Sequence, residues 1–238
     1  MHYYLNENLL NLLEKDQNQF HKVYQGWVAP TIPPQQKERL ELGRQFHQII
    51  RQHLMGLPVD SLLANYPMLK HWVNQLSQNA PEIFERSPGN RKTWDEQIQV
   101  MYGDIILSST CDLIIRNYQS AQIIDWTVYP IHQEYLENSW HTQLKLYLLA
   151  DTDTYLAEEI SLTYWLLTDE VSPKCLRFGY SQEQHDAFKD RLETTLSQLR
   201  EPSGINTSTP TDQDPLTAFL QGQLSVKDYV VSIPEVEL

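Results

Sequence analysis

The 238-residue chain has no run of about 18 apolar residues, so no helix that crosses a membrane is expected. Cysteine is scarce: Cys111 and Cys175 are the two present and lie far apart in the sequence, which excludes a cysteine-rich zinc or iron–sulfur cage. The opening MHYYLNENLL lacks the basic-then-apolar layout of a signal peptide, and with so few cysteines a reducing cytoplasm is the expected setting. Positive charge is also short. Eighteen Lys and Arg stand against 31 Asp and Glu, and the net charge of −13 speaks against a general nucleic-acid coat protein, since phosphate binding needs cations. No internal repeat is present.

The positive charge that exists is gathered. Residues 131–170 carry eight acids and one lysine, and residues 201–238 carry six acids and one lysine. The cations cluster instead at Lys37, Arg39, Arg44 and Arg51, and again at Arg86, Arg91 and Lys92. A bound nucleic acid would approach along those two segments; the plainer reading is ordinary solvated charge.

The chain is 41% hydrophobic, enough for a sizeable core in one large domain. The first 80 residues read as helical: QQKERLELGRQFHQIIRQHLMG follows a double proline and stops at Gly56, and Pro67 predicts a break in the next helical stretch. From Thr93 the pattern turns to short strands, TWDEQIQVMY, GDIILSS, CDLIIRN and AQIIDWTVY. A helix is predicted over roughly 134–150, then strands ISLTYWLL and CLRFGY. A final helix, SQEQHDAFKDRLETTLSQLR, is capped by Ser181 and Gln184 and striped by Phe188, Leu192, Leu196 and Leu199. The expected fold class is α/β, a mixed central sheet flanked by helices with a helical N-terminal region. The expected division is a domain over 1–200 (a helical N-terminal region over 1–85 and a core over 93–200), a linker at 201–215, and an extension at 216–238 that packs back or stays free.

Several polar residues fall where apolar ones are expected. Alternation puts Trp94, Glu96, Ile98 and Val100 on one face of their strand and Asp95, Gln97 and Gln99 on the other. Asp125 and Thr127 share a face of IIDWTVY, and Asp112 precedes Leu113, Ile114 and Ile115. An ionised carboxylate in a sheet is costly unless paired, hydrogen-bonded or bound to a cation, so Glu96, Asp112 and Asp125 together suggest a divalent metal, whereas each alone suits a strand end or turn. His47 shares helical spacing with Leu40, Gly43, Ile50 and Leu54, as a core histidine or a metal ligand. Gln143 and Tyr147 lie one turn apart, suited to a carboxylate, a phosphate or the edge of the core. Lys145 lies about 200° round the helix from Gln143 and is expected to point away.

GRQFHQII, STCDLII, IIDWT and QLKLY, in this order, resemble the PD-(D/E)XK nuclease superfamily, in particular its RecB-like branch, over about residues 37–150. LTYWLL through SQLR fits the family's ending. The resemblance implies a restriction-endonuclease-like fold and a DNA phosphodiesterase using Mg²⁺ or Mn²⁺. It implies His47, Asp112, Asp125 and the Trp126 carbonyl as metal ligands, Glu96 as an extra acid, and Gln143 and Tyr147 at the helix motif. Oxygen ligands suit both ions, and an imidazole nitrogen leans toward Mn²⁺. DNA is the implied partner; a protein partner stays open.

The departure is Thr127, which stands where the family carries the lysine that positions water and stabilises the phosphorus. Losing one preorganised electrostatic group costs on the order of 10²–10³ in rate. Lys145 is expected to be misdirected, Arg116 is a weak substitute, and Lys92 stands near the first strand. The readings are therefore an active metal-dependent nuclease, an inactive nuclease fold serving as a nucleic-acid-binding or assembly module, or an unrelated α/β domain with structural acids.

Overall fold

A computed structural model of the chain describes residues 3–26, 34–85, 87–128, 131–167 and 172–200. Its elements run β1 (Tyr3–Leu5), α1 (Glu7–Lys15), α2 (Gln17–Tyr24), α3 (Pro34–Leu54), α4 (Asp60–Leu63), α5 (Pro67–Asn79) and α6 (Pro81–Phe84). Then come β2 (Arg91–Tyr102), β3 (Ile105–Arg116), β4 (Ala121–Thr127), α7 (Gln133–Glu137), α8 (Trp140–Thr152), β5 (Ile160–Leu166), β6 (Lys174–Gly179) and α9 (Gln182–Arg200). Met1–Leu196 is one compact unit and holds every site residue named above. The expected linker and C-terminal extension lie outside the described residues. Among those residues no helix is long and apolar enough to cross a membrane.

The mixed central sheet with flanking helices is as expected. β3 pairs antiparallel with β2 and β4, β4 runs parallel to β5, and β6 closes the edge antiparallel to β5. Two features depart from the sequence reading. β1 falls within the stretch read as helical and pairs parallel with the start of β3. GDIILSS and CDLIIRN are one strand, not two. The Ser-Ser-Thr run that reads as a turn lies inside β3, where Ser108 accepts a hydrogen bond from Gln97 and Ser109 donates one to Glu7.

Helix boundaries follow local chemistry. Pro67 sits in the first turn of α5, where its missing N–H costs nothing, so the predicted break is real. α3 ends at a residue pair closed by Gly56, whose φ of 76° suits the left-handed cap position. The expected helix over 134–150 is split, because Ser139 caps a new start and accepts from the Thr142 N–H at 3.2 Å. Ser181 caps α9 in the same way.

The core divides between the two faces. On one, Phe46 and Ile50 of α3, Trp72 and Leu76 of α5 and Ile83 of α6 pack on Leu113, Ile115, Ile124, Trp126 and Trp165. On the other, α8 lies across β2, β3 and β5 with α1 beside it. Leu144, Lys145, Leu146, Tyr147, Leu148 and Leu149 of α8 are all buried, so this helix has no solvent face to orient it.

Candidate active site

The site forms where the sheet changes partners. On the edge of β3 away from β2, Ile105–Leu107 pair with β1 and Leu113–Arg116 pair with β4. Between these two ladders the Asp112 N–H needs another acceptor, since a buried backbone donor left unpaired is costly. It finds the Asp125 carboxylate at 3.0 Å, and the Trp126 N–H in turn donates to Asp112 Oδ2 at 3.0 Å. The two aspartates thus splice the ends of β3 and β4 through each other's backbone. Their placement in apolar strands has this local cause.

His47 reaches the splice from α3. Its Nδ1 is 3.1 Å from Asp112 Oδ1, and its ring lies 6.0 Å from the Trp126 indole. The stripe expected through Leu40, Gly43, His47, Ile50 and Leu54 is shifted: Phe46, Ile49 and Ile50 are buried, Leu40 is exposed, and His47 stands partly exposed at the margin. Burial opposes the imidazolium, but the Asp112 hydrogen bond and the charges of Asp112, Asp125 and Asp95 outweigh it and raise the His47 pKa.

Lys145 reaches Asp125 from the other face, against expectation. Its ammonium donates to Asp125 Oδ2 in a buried ion pair, the two side chains exposing 9% and 4% of their surface. Lys145 does point away from Gln143; it is Gln143 that faces elsewhere. Burial works against the ammonium, yet the charge of Asp125 holds its pKa well above the ordinary lysine value. Burial pushes Asp125 upward, while Lys145 pulls the other way.

A further acid, Asp95, escaped the sequence reading. The pairs Trp94–Leu113 and Glu96–Cys111 flank it, so the register sets Asp95 opposite Asp112, and the adjoining ladder sets Asp112 opposite Asp125. Three aspartates therefore lie in one row across β2, β3 and β4. Asp95 has φ 48°, the one positive φ among the described non-glycine residues, and this kink breaks the alternation of β2. Trp94 packs with the α3–α5–α6 core, whereas Glu96 turns to Arg116, whose guanidinium also holds Asp153 at the end of α8. The shared face expected for Trp94 and Glu96 is not observed, and Glu96 is held by Arg116 and Thr93 apart from the aspartates. Asp95 instead pairs with Arg51 at 3.1 Å. The signal that could have found it was its position, one residue before Glu96 and level with Asp112.

The remaining candidates lie elsewhere. Gln143 Oε1 accepts from Arg191 at 2.9 Å, and Tyr147 stacks on His185 with ring centres 4.7 Å apart, so both turn toward α9. A cavity of about 740 Å³ opens there, lined by Gln143, Arg177, Tyr180 and Arg191, and none of the aspartates lines it. Lys92 donates to the carbonyls of Glu82, Ile83 and Glu85, and Arg116 is taken up by Glu96 and Asp153. Neither reaches Asp112 or Asp125. Thr127 lies beyond Asp125 on the same face of β4, with its carbonyl accepting from the Leu167 N–H at 2.8 Å.

One imidazole, two carboxylates and an adjacent backbone carbonyl are a donor set suited to Mg²⁺ or Mn²⁺. Among the described residues, no group of three or more His, Cys, Asp and Glu is gathered in ligand geometry. His47 and Asp112 touch, but Asp125 is engaged by Lys145 and the Asp112 N–H. The donors fit a divalent ion by type, with Lys145 as the competing cation.

Residues 10–211 match the family model of the PD-(D/E)XK nuclease superfamily. Among solved structures, a protein of Eubacterium rectale provisionally assigned as an exonuclease aligns over 97% of this chain and 94% of its own, with TM-score 0.52 and 8% identity. The structure of SSO0001 aligns over 85% of this chain and 80% of its own, with TM-score 0.38 and 15% identity. The search of curated proteins gives no match.

Proposed function

The chain belongs to the PD-(D/E)XK nuclease superfamily, and from that premise we propose that it hydrolyses phosphodiester bonds of DNA with a divalent metal, Lys145 replacing the lysine absent at Thr127. The observation that carries this reading is the Lys145–Asp125 ion pair. It brings an ammonium from α8 to the carboxylate that the motif marks as a ligand. The order of motif residues, His47 through Tyr147, supports the RecB-like branch.

In this reading His47, Asp112, Asp125 and the Trp126 carbonyl hold Mg²⁺ or Mn²⁺. When bound, the metal supplies an activated water and stabilises charge developing on the phosphate. The chain's own residues do the rest. Asp112 keeps the end of β4 in place by accepting the Trp126 N–H, which fixes Asp125 and the adjacent carbonyl together. Lys145 holds a full positive charge in a buried setting, where a preorganised cation acts more strongly than in water. Thr127, on the Asp125 face, offers a hydroxyl to hold a water by hydrogen bonding. Glu96, Gln143 and Tyr147 support the surrounding structure through Arg116, Arg191 and His185.

The test is cleavage of single- and double-stranded DNA by the purified protein with Mn²⁺ or Mg²⁺, beside Asp125→Ala and Lys145→Met. Loss of cleavage in both variants is expected. Cleavage surviving in Asp125→Ala means that this is not the active site. A second reading has its own observation: Lys145 neutralises Asp125 without any metal, as in an inactive nuclease fold kept as a nucleic-acid-binding or assembly module. That reading predicts no heat on calorimetric titration of the wild type with Mn²⁺ and no cleavage under any condition.

A further inference from the structure

α3 carries His47 into the site, and its neighbours along the helix carry charge. Arg44 lies one turn before His47 and Arg51 one turn after, about 10 Å apart along the axis at 1.5 Å per residue. With His47, Gln48, Gln52 and Asp95 they line a cavity of about 500 Å³. Each guanidinium holds an exposed carboxylate, Arg44 with Glu41 at 2.6 Å and Arg51 with Asp95 at 3.1 Å. Exposed pairs of this kind contribute little, so a phosphate can take over the arginines at small cost.

The other side of the same wall is apolar. Gln48 and Gln52 also border a second cavity of about 140 Å³, with Ile49, Leu62, Tyr66 and Leu69. Tyr66 and Leu62 are 47% and 45% exposed, so an aromatic face and an aliphatic side chain stand open to solvent beside it. A cationic groove and an aromatic–aliphatic groove thus run side by side, divided by two glutamine side chains.

We propose that this surface is a track for single-stranded DNA, the backbone lying along Arg44 and Arg51 toward His47 and the bases turning over Gln48 and Gln52 onto Tyr66. The inference rests on the nuclease reading and adds the strandedness and path of its substrate. A duplex keeps its base faces stacked and leaves the Tyr66 groove without use. An unpaired strand offers a π-face to the tyrosine and amide-bonding base edges to the glutamines. Lys92 of β2 is turned into the carbonyls of Glu82, Ile83 and Glu85 and adds nothing to this row.

The experiment is equilibrium binding of the full chain, in EDTA so that nothing is cleaved, to a fluorescein-labelled 20-mer of thymidine and to a 20-base-pair duplex across a salt series. The single strand should bind more tightly. Arg51→Ala should flatten the log K against log salt slope by about 0.7, one phosphate contact on a single strand. Tyr66→Ala should weaken binding on the order of ten-fold with the slope unchanged. Gln48→Glu, an exposed change that leaves the core alone, should weaken binding and guard against misfolding as the cause. Preference for the duplex, failure of the wild type to bind the single strand, or variants that bind like the wild type each overturn the track. Cleavage is not read, so the metal-site reading stands or falls on its own assay.

Discussion

Replacing Lys145 with methionine tests the centre of the site without touching a proposed ligand. The Lys145 and Asp125 side chains are 9% and 4% exposed, so removing one partner leaves a charge with little access to water. Breaking a buried pair this way costs about 3–5 kcal/mol. For a chain of this length each kcal/mol lowers the melting temperature by about 2–4 °C, so a fall of roughly 6–20 °C is expected. Removing both charges should act differently. Asp125→Asn with Lys145→Met places two uncharged groups together, and buried pairs replaced by neutral ones are often no less stable. The double variant should therefore recover most of the loss, with a coupling above about 2 kcal/mol in urea unfolding. Mn²⁺ should rescue Lys145→Met, because a cation at Asp112 and Asp125 restores the missing charge; at 100-fold over its Kd the gain is about 2.7 kcal/mol. The double variant should respond far less. A Lys145→Met protein within about 1 kcal/mol of wild type, with negligible coupling to Asp125, would refute the account of the pair.

Three further outcomes follow from the surroundings. At Asp95, φ 48° is strained for a side chain with a branched Cβ, so Asp95→Val should lose about 1–3 kcal/mol in thermal denaturation while Asp95→Gly stays within about 1 kcal/mol of wild type; equal stability of the two would show that the kink is not held. Gly43→Ala should stabilise α3 by up to about 1 kcal/mol, since a Cβ there meets Val128 at an ordinary 3.5 Å; destabilisation in the same melt would contradict the packing. The Arg116 hydrogen bond holds the Glu96 pKa below its ordinary value, so its contribution is complete above the usual carboxylate range of about 4.3 and is lost as pH falls through the lowered folded value. Urea midpoints measured from pH 6 to pH 3 should fall less steeply in Arg116→Met than in wild type, and parallel curves would remove Glu96 from the acid response.

Local periodicity and capping made much of this molecule legible in one dimension. The strand character of residues 93–127, the break at Pro67, the cap at Ser181 and the order of His47, Asp112 and Asp125 are all readable, because each depends on neighbours a few residues away. The contact between His47 and Asp112 agrees with that order.

Packing between distant segments settled what periodicity could not. α8 is buried all round, between the sheet and its companion helices, so no apolar stripe marks which side meets Asp125; packing against β2, β3 and β5 made it the Lys145 side. Alternation along β2 predicted Glu96 and missed Asp95, because one positive φ reverses the faces beyond it and no residue type announces that reversal. The splice of Asp112 and Asp125 exists because β3 exchanges β1 for β4 between Leu107 and Leu113, a change of partners set by strands far apart along the chain. Charge pairing across a sheet is a relation among segments, and a linear pattern holds no record of which segments will meet.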